Sequence, residues 1–402
     1  MRNIVIEELK QLPMDEQKIE IVERKGLGHP DYICDSIMNQ ISINLSKYYI
    51  KNFGSILHHN IDKALLAAGE VENKFGGGKI KKPMLLVIGD RATYFTEEKE
   101  VPVSEISIST AKEWFKKNLR FVDPEEHVKY QIELKQVSSA LKSIFEKKRK
   151  ILGANDTSAT VGYAPLSNTE KIVFETERYI NSKEFKKEFP ETGEDVKVMG
   201  IRKNKTLDLT IALAFIDRFI DCEETYFRRK KEVEDKLKEY LNSNYNFEKI
   251  NININTLDKK GKGEAGIFLT VSGTCADGAD SGQVGRGNRV NGVIPLKRPT
   301  SSEAAAGKNP VSHVGKIYNV LAYKLAEEIY EKVPGLKEVY IWLVSKIGMS
   351  IDQPAMVATQ VILEDKTLIE NVRKEIEEII NKRLDNIDKF CMDLAKGKYS
   401  VC

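Results

Sequence analysis

The 402-residue chain has few cysteines, no long apolar run and almost no net charge. Its five cysteines are far apart with no CxxC pair, which argues against a structural zinc site or a disulfide framework and favours a reducing compartment. No stretch reaches about 18 uninterrupted apolar residues, and the first residues do not resemble a signal peptide, so we expect a cytoplasmic protein without a membrane partner. The formal net charge of +3 gives no general reason to expect nucleic-acid binding.

Two common nucleotide-binding motifs are also missing. Residues 261–266 (GKGEAG) spell GxGxxG, but they lead into the strand-like IFLTV rather than a helix, which indicates a hairpin connection and excludes a Rossmann fingerprint. Gly307-Lys308 is followed by Asn309 and lacks the upstream glycine of a P-loop. A nucleotide site in this chain must therefore have another form.

The chain is long enough for two or three domains. Strand-like and helix-like patterns alternate in three blocks, which predicts an α+β fold with sheets packed on helices in two layers. We expect strands at 4–7 and 17–24, a helix from Asp31 onward, and a hairpin around the basic turn 202–205. The basic residues of 133–150 are typical of a solvated helix face or a mobile segment. The predicted domains are 1–150, 151–272 and 273–402.

Residues 277–319 combine many glycines with Lys and Arg and contain few large apolar side chains. Glycine allows backbone N–H groups to approach an anion, and Lys and Arg supply the opposite charge. This composition fits a polyphosphate-binding segment, and it equally fits a solvated basic loop.

A second informative motif is GHPD at 28–31, where Pro30 suits the first turn of the predicted helix. A helix N-terminus favours phosphate, His29 can donate to a phosphoryl oxygen, and Asp31 can hold a hard cation. The alternative is that Asp31 only caps the helix and His29 is a loop residue. The same choice applies to Asp156 in GANDTS, which can be a site residue or an Asx-turn former.

Taken together, GHPD, GANDTSATVGYA, DSGQVGRG and AAAGKNP, in this order and at these distances, resemble methionine adenosyltransferase (S-adenosylmethionine synthetase), with the archaeal branch most similar. The resemblance covers essentially the whole chain. It implies three similar two-layer sheet-and-helix domains in a pseudo-threefold arrangement. It also implies formation of S-adenosylmethionine from ATP and L-methionine with release of phosphate and diphosphate, Mg²⁺ and K⁺ as cofactors, and a homodimer with active sites at the subunit interface.

Residue by residue, the resemblance places His29 on the triphosphate and Asp31 on magnesium. It implies a methionine-binding set of Glu70, Gln136 and Asp156, and the residues after Gln136 would form a mobile gate. The resemblance implies a catalytic set of His29, Asp280, Arg286 and Lys308. The implied ATP-binding set is His29, Phe268, which would stack on adenine, Lys205, Asp280, Ser281, Arg286 and Lys308.

Three positions depart from the family pattern. Tyr32 and Gly287 stand where the family has lysine, and Arg289, Lys203 or Lys205 could restore the charge. The second magnesium aspartate falls on Val314, with Asn309 and His313 as the nearest polar substitutes.

The chemistry needs no nucleophilic side chain, because the sulfur of methionine attacks the 5′ carbon of ATP directly. The protein must align the reactants and neutralise charge on the leaving triphosphate. Two rival functions use the same features. An ATP-dependent phosphoryl transferase or ligase would use the same polyphosphate segment, and an RNA-binding protein would use the basic loops 142–150 and 286–298.

Overall fold

The computed structural model describes residues 2–96, 99–137 and 151–402. These residues form eight helices, none of which is long and apolar enough to cross a membrane. The helices are α1 (Pro30–Phe53), α2 (Val103–Asn118), α3 (Asn168–Ile180), α4 (Lys183–Glu188), α5 (Glu223–Asn244), α6 (Val314–Lys332), α7 (Ile369–Asp385) and α8 (Ile387–Ala395). The strands in the same ranges are β1 (Ile4–Glu8), β2 (Ile19–Lys25), β3 (His59–Ala67), β4 (Glu70–Glu72), β5 (Lys79–Lys82), β6 (Met84–Ala92), β7 (Val128–Gln136), β8 (Ala159–Ala164), β9 (Thr192–Lys203), β10 (Thr206–Ile216), β11 (Lys249–Ile254), β12 (Leu269–Thr270), β13 (Gly282–Gln283), β14 (Ile294–Pro295), β15 (Leu336–Val344) and β16 (Met356–Leu363).

The strands form three main sheets and one hairpin. The first sheet has the order β1-β16-β15-β8, the second β11-β10-β9-β2-β14 with β12 added on β10, and the third β13-β3-β6-β7. Strands β4 and β5 pair only with each other in the described part of the chain.

Each sheet is covered by helices, and each pair of layers encloses its own buried core. Helix α6 packs on β8 and β15, α3 and α5 pack on the second sheet, and α1 and α2 pack on the third. The three cores are represented by Ile317 and Val339, by Val198 and Leu209, and by Ile33, Leu86 and Phe115, respectively. The architecture is therefore α+β with three two-layer units.

The three predicted domain segments do not each form one sheet. Strand β1 pairs in parallel with β16 at the other end of the chain, β2 pairs with β9, and β13 pairs with β3. Boundaries at 150 and 272 therefore cut across the sheets. The domain boundaries stay a prediction, and long-range pairing, rather than packing of consecutive elements alone, sets the layers.

Local predictions agree with the structure where the sequence pattern is strong. The helix predicted from Asp31 is α1, and the basic turn joins β9 to β10. The GKGEAG segment leads to β12 and not to a helix, but it is not a hairpin connection, because β11 and β12 each pair in parallel with β10. Residues 133–136, expected to begin a helix face, belong to β7 instead, where they continue an apolar alternation. Residues 138–150, with the predicted gate, lie outside the described residues.

Candidate active site

The N-terminus of α1 is built by the GHPD motif. His29 is the N-cap residue and Pro30 occupies the first turn; the Nδ1 atom of His29 accepts a hydrogen bond from the N–H of Asp31 at 3.2 Å. Burial lowers the pKa of His29 to about 4, so the ring is neutral near pH 7. With Nδ1 as acceptor, the proton resides on Nε2, which can donate to a phosphoryl oxygen.

Asp31 is buried and holds two neighbouring segments. One carboxylate oxygen lies 2.8 Å from Nζ of Lys25, and the other accepts from the N–H of Gln283 at 2.9 Å. Lys25 also donates to the carbonyl of Arg286 at 2.6 Å. The last residue of β2 therefore connects GHPD with the DSGQVGRG loop.

Close backbone packing brings this loop onto α1. A Cβ atom on Gly282 would lie 2.1 Å from the carbonyl carbon of Pro30, so only glycine fits. The loop is also tied to Asp35, one turn further along α1, which accepts from the N–H of Gly285 at 2.8 Å. Burial raises the pKa of Asp35 to about 7.

Gly287 also packs against Asp35. A Cβ there would lie 2.2 Å from a carboxylate oxygen of Asp35, so a lysine at this position would require the Asp35 carboxylate to move. Tyr32, at the other lysine position, lies beside the thiol of Cys402, and the charge and burial around it raise the pKa of its hydroxyl.

Three predicted residues of the loop are exposed beside the helix start. Asp280 accepts from the N–H of Ser281 at 2.9 Å, and Ser281 accepts from the N–H of Ala68 at 3.0 Å. Arg286 is exposed to solvent, while its carbonyl is held by Lys25. We refer to Lys25, His29, Asp31, Asp35 and the loop 280–287 as the α1 cluster.

A second cluster surrounds Lys308 at the start of α6. Lys308 is 4% exposed, and its Nζ lies 2.7 Å from Asp62 and 3.1 Å from Glu303. Burial raises the pKa of Asp62, but the Lys308 ammonium outweighs this effect and holds the net pKa below its usual range. Burial, together with the nearby Asp62 carboxylate, raises the pKa of Asp90 to about 6.

The GANDTS loop reaches this second cluster. The N–H of Asn155 donates to the carbonyl of Ser312, and its side-chain oxygen accepts from the N–H of Val314 at 3.3 Å. Asp156 is half-buried and accepts from the N–H of the next residue, Thr157, at 2.7 Å, whereas an Asx turn uses the N–H two residues on. We refer to Asp62, Asp156, Glu303, Lys308 and His313 as the α6 cluster.

The two clusters lie at different points along α1 but adjoin each other. The carbonyl of Lys308 accepts from Ser42 at 3.0 Å, and Ser42 is three turns after Asp31 on α1, about 17 Å along the helix axis. Asp35 and Gly285 of the α1 cluster and Glu303 of the α6 cluster nevertheless line one small cavity.

Four predicted residues lie outside both clusters. Gln136 accepts from the N–H of Tyr94 at the end of β7, and the exposed Glu70 pairs with Lys82. Phe268 is half-buried and lines a cavity of about 670 Å³. Lys205 lies at the exposed β9–β10 turn, 3.2 Å from Glu248. On the paired strands, Lys203 beside this turn lies opposite Ile19, and Lys197 lies opposite Lys25. The turn is therefore six residues along β2, about 20 Å, from Lys25.

No acid replaces the second magnesium aspartate at the predicted positions. Val314 is fully buried, and the side-chain oxygen of Asn309 accepts from the N–H of Val311. The Nδ1 atom of His313 accepts from the N–H of Gly315. The described residues contain no group of three or more His, Cys, Asp or Glu side chains that could hold a metal alone. Asp31 retains free lone pairs, which suits Mg²⁺ bound by one carboxylate and substrate phosphates.

Comparison with known proteins gives the family. The family model for S-adenosylmethionine synthetase (AdoMet synthetase) matches residues 2–398. The chain belongs to this family. It is 45% identical to the S-adenosylmethionine synthase of Thermococcus onnurineus (strain NA1) over 403 residues, covering 100% of this chain and 99% of that protein. It is 41% identical to that of Methanothermobacter thermautotrophicus (strain Delta H) over 398 residues, covering 99% of each.

A solved structure of an unusual S-adenosylmethionine synthetase from Campylobacter jejuni shares the fold. Its TM-score is 0.61 at 16% identity, with 94% of each chain covered. The family, the fold class and the enzyme class predicted from the sequence, methionine adenosyltransferase, are thus confirmed.

Sequence reasoning missed Lys25. Arg289, Lys203 or Lys205 was expected to restore the charge lost at Tyr32 and Gly287. The charge of Arg289 does act on Asp35, where it opposes the rise in pKa caused by burial, but Lys25 is the lysine that contacts Asp31. The signal was present, since Lys25 lies four residues before His29 at the end of an alternating strand that leads directly into GHPD.

Proposed function

We propose that this protein forms S-adenosylmethionine from ATP and L-methionine, with the triphosphate bound between an α1 cluster and an α6 cluster. The observation that carries the proposal is the convergence of a neutral His29, a helix N-terminus and Lys25, which also holds the main chain of Arg286. These groups supply hydrogen-bond donors and positive charge for a polyphosphate.

The chemistry requires orientation and charge neutralisation. Methionine sulfur attacks the 5′ carbon of ATP in line, and the bond from that carbon to the triphosphate oxygen breaks. Arg286 and Lys308 counter the charge that gathers on the leaving group, and His29 donates from Nε2. Mg²⁺ bound to Asp31 and phosphate oxygens would neutralise further charge. The triphosphate is then hydrolysed to phosphate and diphosphate before release.

No cysteine is needed as nucleophile, and the buried cysteines are poorly suited to be one. Burial raises the pKa values of Cys34 and Cys275, so both thiols stay protonated. All five cysteines are unpaired, which supports the predicted cytoplasmic location.

We further propose a homodimer in which the α1 cluster of one subunit meets the α6 cluster of its partner. The outer face of the second sheet, opposite α3 and α5, carries an apolar patch that includes Ile19 (47% exposed), Ile201 (41%) and Leu296 (57%). The register places Ile21 beside Ile201 and Lys25 beside Lys197 on this same face. A subunit docked on the patch would therefore border the α1 cluster.

The remaining ATP and methionine contacts fit this dimer. The cavity beside Phe268, with Ala212 and Leu257 in its wall, could hold an adenine ring against the aromatic face. Lys205 lies in the β9–β10 turn, about 20 Å from Lys25, so it would contact ATP only across the interface. Glu70, Gln136 and Asp156 remain proposed methionine contacts.

The direct test is incubation of near-stoichiometric enzyme with ATP, L-methionine, Mg²⁺ and K⁺, followed by detection of S-adenosylmethionine, phosphate and diphosphate. Absence of S-adenosylmethionine would refute the proposal. ADP or AMP with a phosphorylated product would instead indicate a phosphoryl transferase, and omission of K⁺ tests that ion separately.

A mixing experiment tests the shared site. Arg286→Ala and Lys308→Ala should each cut turnover by on the order of 10²–10³. When the two variants are co-refolded, half of the dimers are hybrids with one intact site of two, so about a quarter of wild-type activity should return. If no activity returns while hybrids are demonstrably present, the two clusters do not combine across subunits.

A further inference from the structure

Lys316 is a buried lysine without a carboxylate partner among the described residues. It is 2% exposed on the first turns of α6, and its Nζ donates to Oδ1 of Asn39 at 2.9 Å and lies 3.3 Å from Oγ of Ser42. Burial lowers its pKa to about 7, with a further contribution from Lys308. Burying an ammonium group without a carboxylate partner costs stability, so its presence here points to a function that outweighs this cost.

Ser42 links Lys316 to the GKNP segment. Its Oγ donates to the carbonyl of Lys308 at 3.0 Å and lies 2.9 Å from Nε2 of His59. A hydroxyl has one proton and two lone pairs. When Ser42 donates its proton to the carbonyl of Lys308, its lone pairs can accept from Lys316 and, in the tautomer protonated at Nε2, from His59.

His59 connects this network to Asn309, the residue that follows Lys308. It is fully buried, and burial lowers its pKa to about 3, so the ring is neutral. In the tautomer protonated at Nε2, its Nδ1 atom accepts from Nδ2 of Asn309 at 3.3 Å; in the other tautomer, Nδ1 donates to the carbonyl of Leu57 at 3.2 Å and Nε2 accepts from Ser42. Lys316 and His59 thus converge on Ser42, which fixes the main chain of Lys308.

The side chain of Lys308 passes close to Gly315 at the start of α6. A Cβ there would lie 3.0 Å from Cε of Lys308 and 2.9 Å from Oε2 of Glu303, so glycine leaves room for both side chains. The neighbouring Lys316 instead donates to two side chains of α1.

We propose that Lys316 is a positioning residue for Lys308, acting through Ser42 to fix the Lys308 main chain so that its ammonium meets the triphosphate. Lys316 lies between two helices and does not touch substrate. This inference rests on the proposed role of Lys308.

The test compares Lys316→Met, Lys308→Ala and the double variant in S-adenosylmethionine formation. Lys316→Met keeps side-chain length and removes the donors, so kcat should fall about ten- to hundredfold, with the KM for methionine unchanged. The double variant should be no more than about twofold slower than Lys308→Ala, because a positioning effect disappears with its target. Lys316→Gln, which keeps one donor, should recover part of kcat.

Three results would overturn the proposal: wild-type kcat in Lys316→Met, full multiplication of the two losses in the double variant, or no recovery in Lys316→Gln. If Lys316→Met does not fold, Ser42→Ala replaces it with the same expectations. Wild-type turnover of Lys308→Ala would be a separate failure, since it removes the proposed role of Lys308 itself.

Discussion

Replacing Lys25 by methionine should damage both stability and turnover. The Lys25 side chain is 11% exposed and that of Asp31 is 8% exposed, and their charged atoms are 2.8 Å apart. Methionine preserves much of the apolar stem but leaves the Asp31 carboxylate with the N–H of Gln283 as its remaining partner among the described contacts. Removing one member of a buried ion pair typically costs about 3–5 kcal/mol. Loss of the cation beside the triphosphate should reduce turnover by on the order of 10².

Lys197 provides a matched control for this experiment. It pairs in register with Lys25 on the neighbouring strand and lies 3.5 Å from Glu23, which also lies 3.9 Å from Lys25. Its side chain is 38% exposed, so Lys197→Met should cost no more than about 1 kcal/mol. Urea unfolding and initial rates of S-adenosylmethionine formation measure both quantities. If Lys25→Met and Lys197→Met behave alike, the link from Lys25 to Asp31 and Arg286 has no special role.

Three further substitutions test other parts of the structure. Asp31→Asn should raise the Mg²⁺ concentration needed for half-maximal rate, and an unchanged metal titration would remove Asp31 as a ligand. Gly282→Ala should separate the loop from Pro30, with a stability loss of about 1–3 kcal/mol in thermal or urea unfolding and a fall in rate; normal values of both would contradict the close packing. Burial lowers the pKa of His59 to about 3 in the folded protein. Between pH 3 and 6.5 this histidine therefore binds a proton more readily in the unfolded chain, and stability is lost as the pH falls through this range. The loss from His59 should be about 2 kcal/mol at pH 5, and urea unfolding at pH 7 and 5 should show a smaller acid effect in His59→Gln.

Strong local patterns predicted much of the secondary structure. The four-residue spacing after Pro30 gave α1, and the basic turn gave the β9–β10 hairpin. The motifs alone did not show that GHPD and the DSGQVGRG loop pack together within one chain, as the close approach of Gly282 to Pro30 shows they do.

Long-range pairing could not be predicted in the same way. Nothing in residues 4–8 specifies a partner near residue 360, because a short alternating strand can pair with many others. For the same reason, the role of Lys25 was hidden: its contact with Arg286 spans 261 residues and depends on how β2 and the loop are brought together.

The pairing of β1 with β16 has a consequence for how the protein is made. Glu7 and its partner Gln360 are 353 residues apart, so a ribosome adding about 5–20 residues per second needs roughly 20–70 s between the two strands. During that interval β1 has no strand to pair with, whereas β3, β6 and β7 can already pair with one another. We therefore expect nascent chains to fold the third sheet first and to leave residues 4–8 open to proteases or chaperones until the last part of the chain emerges.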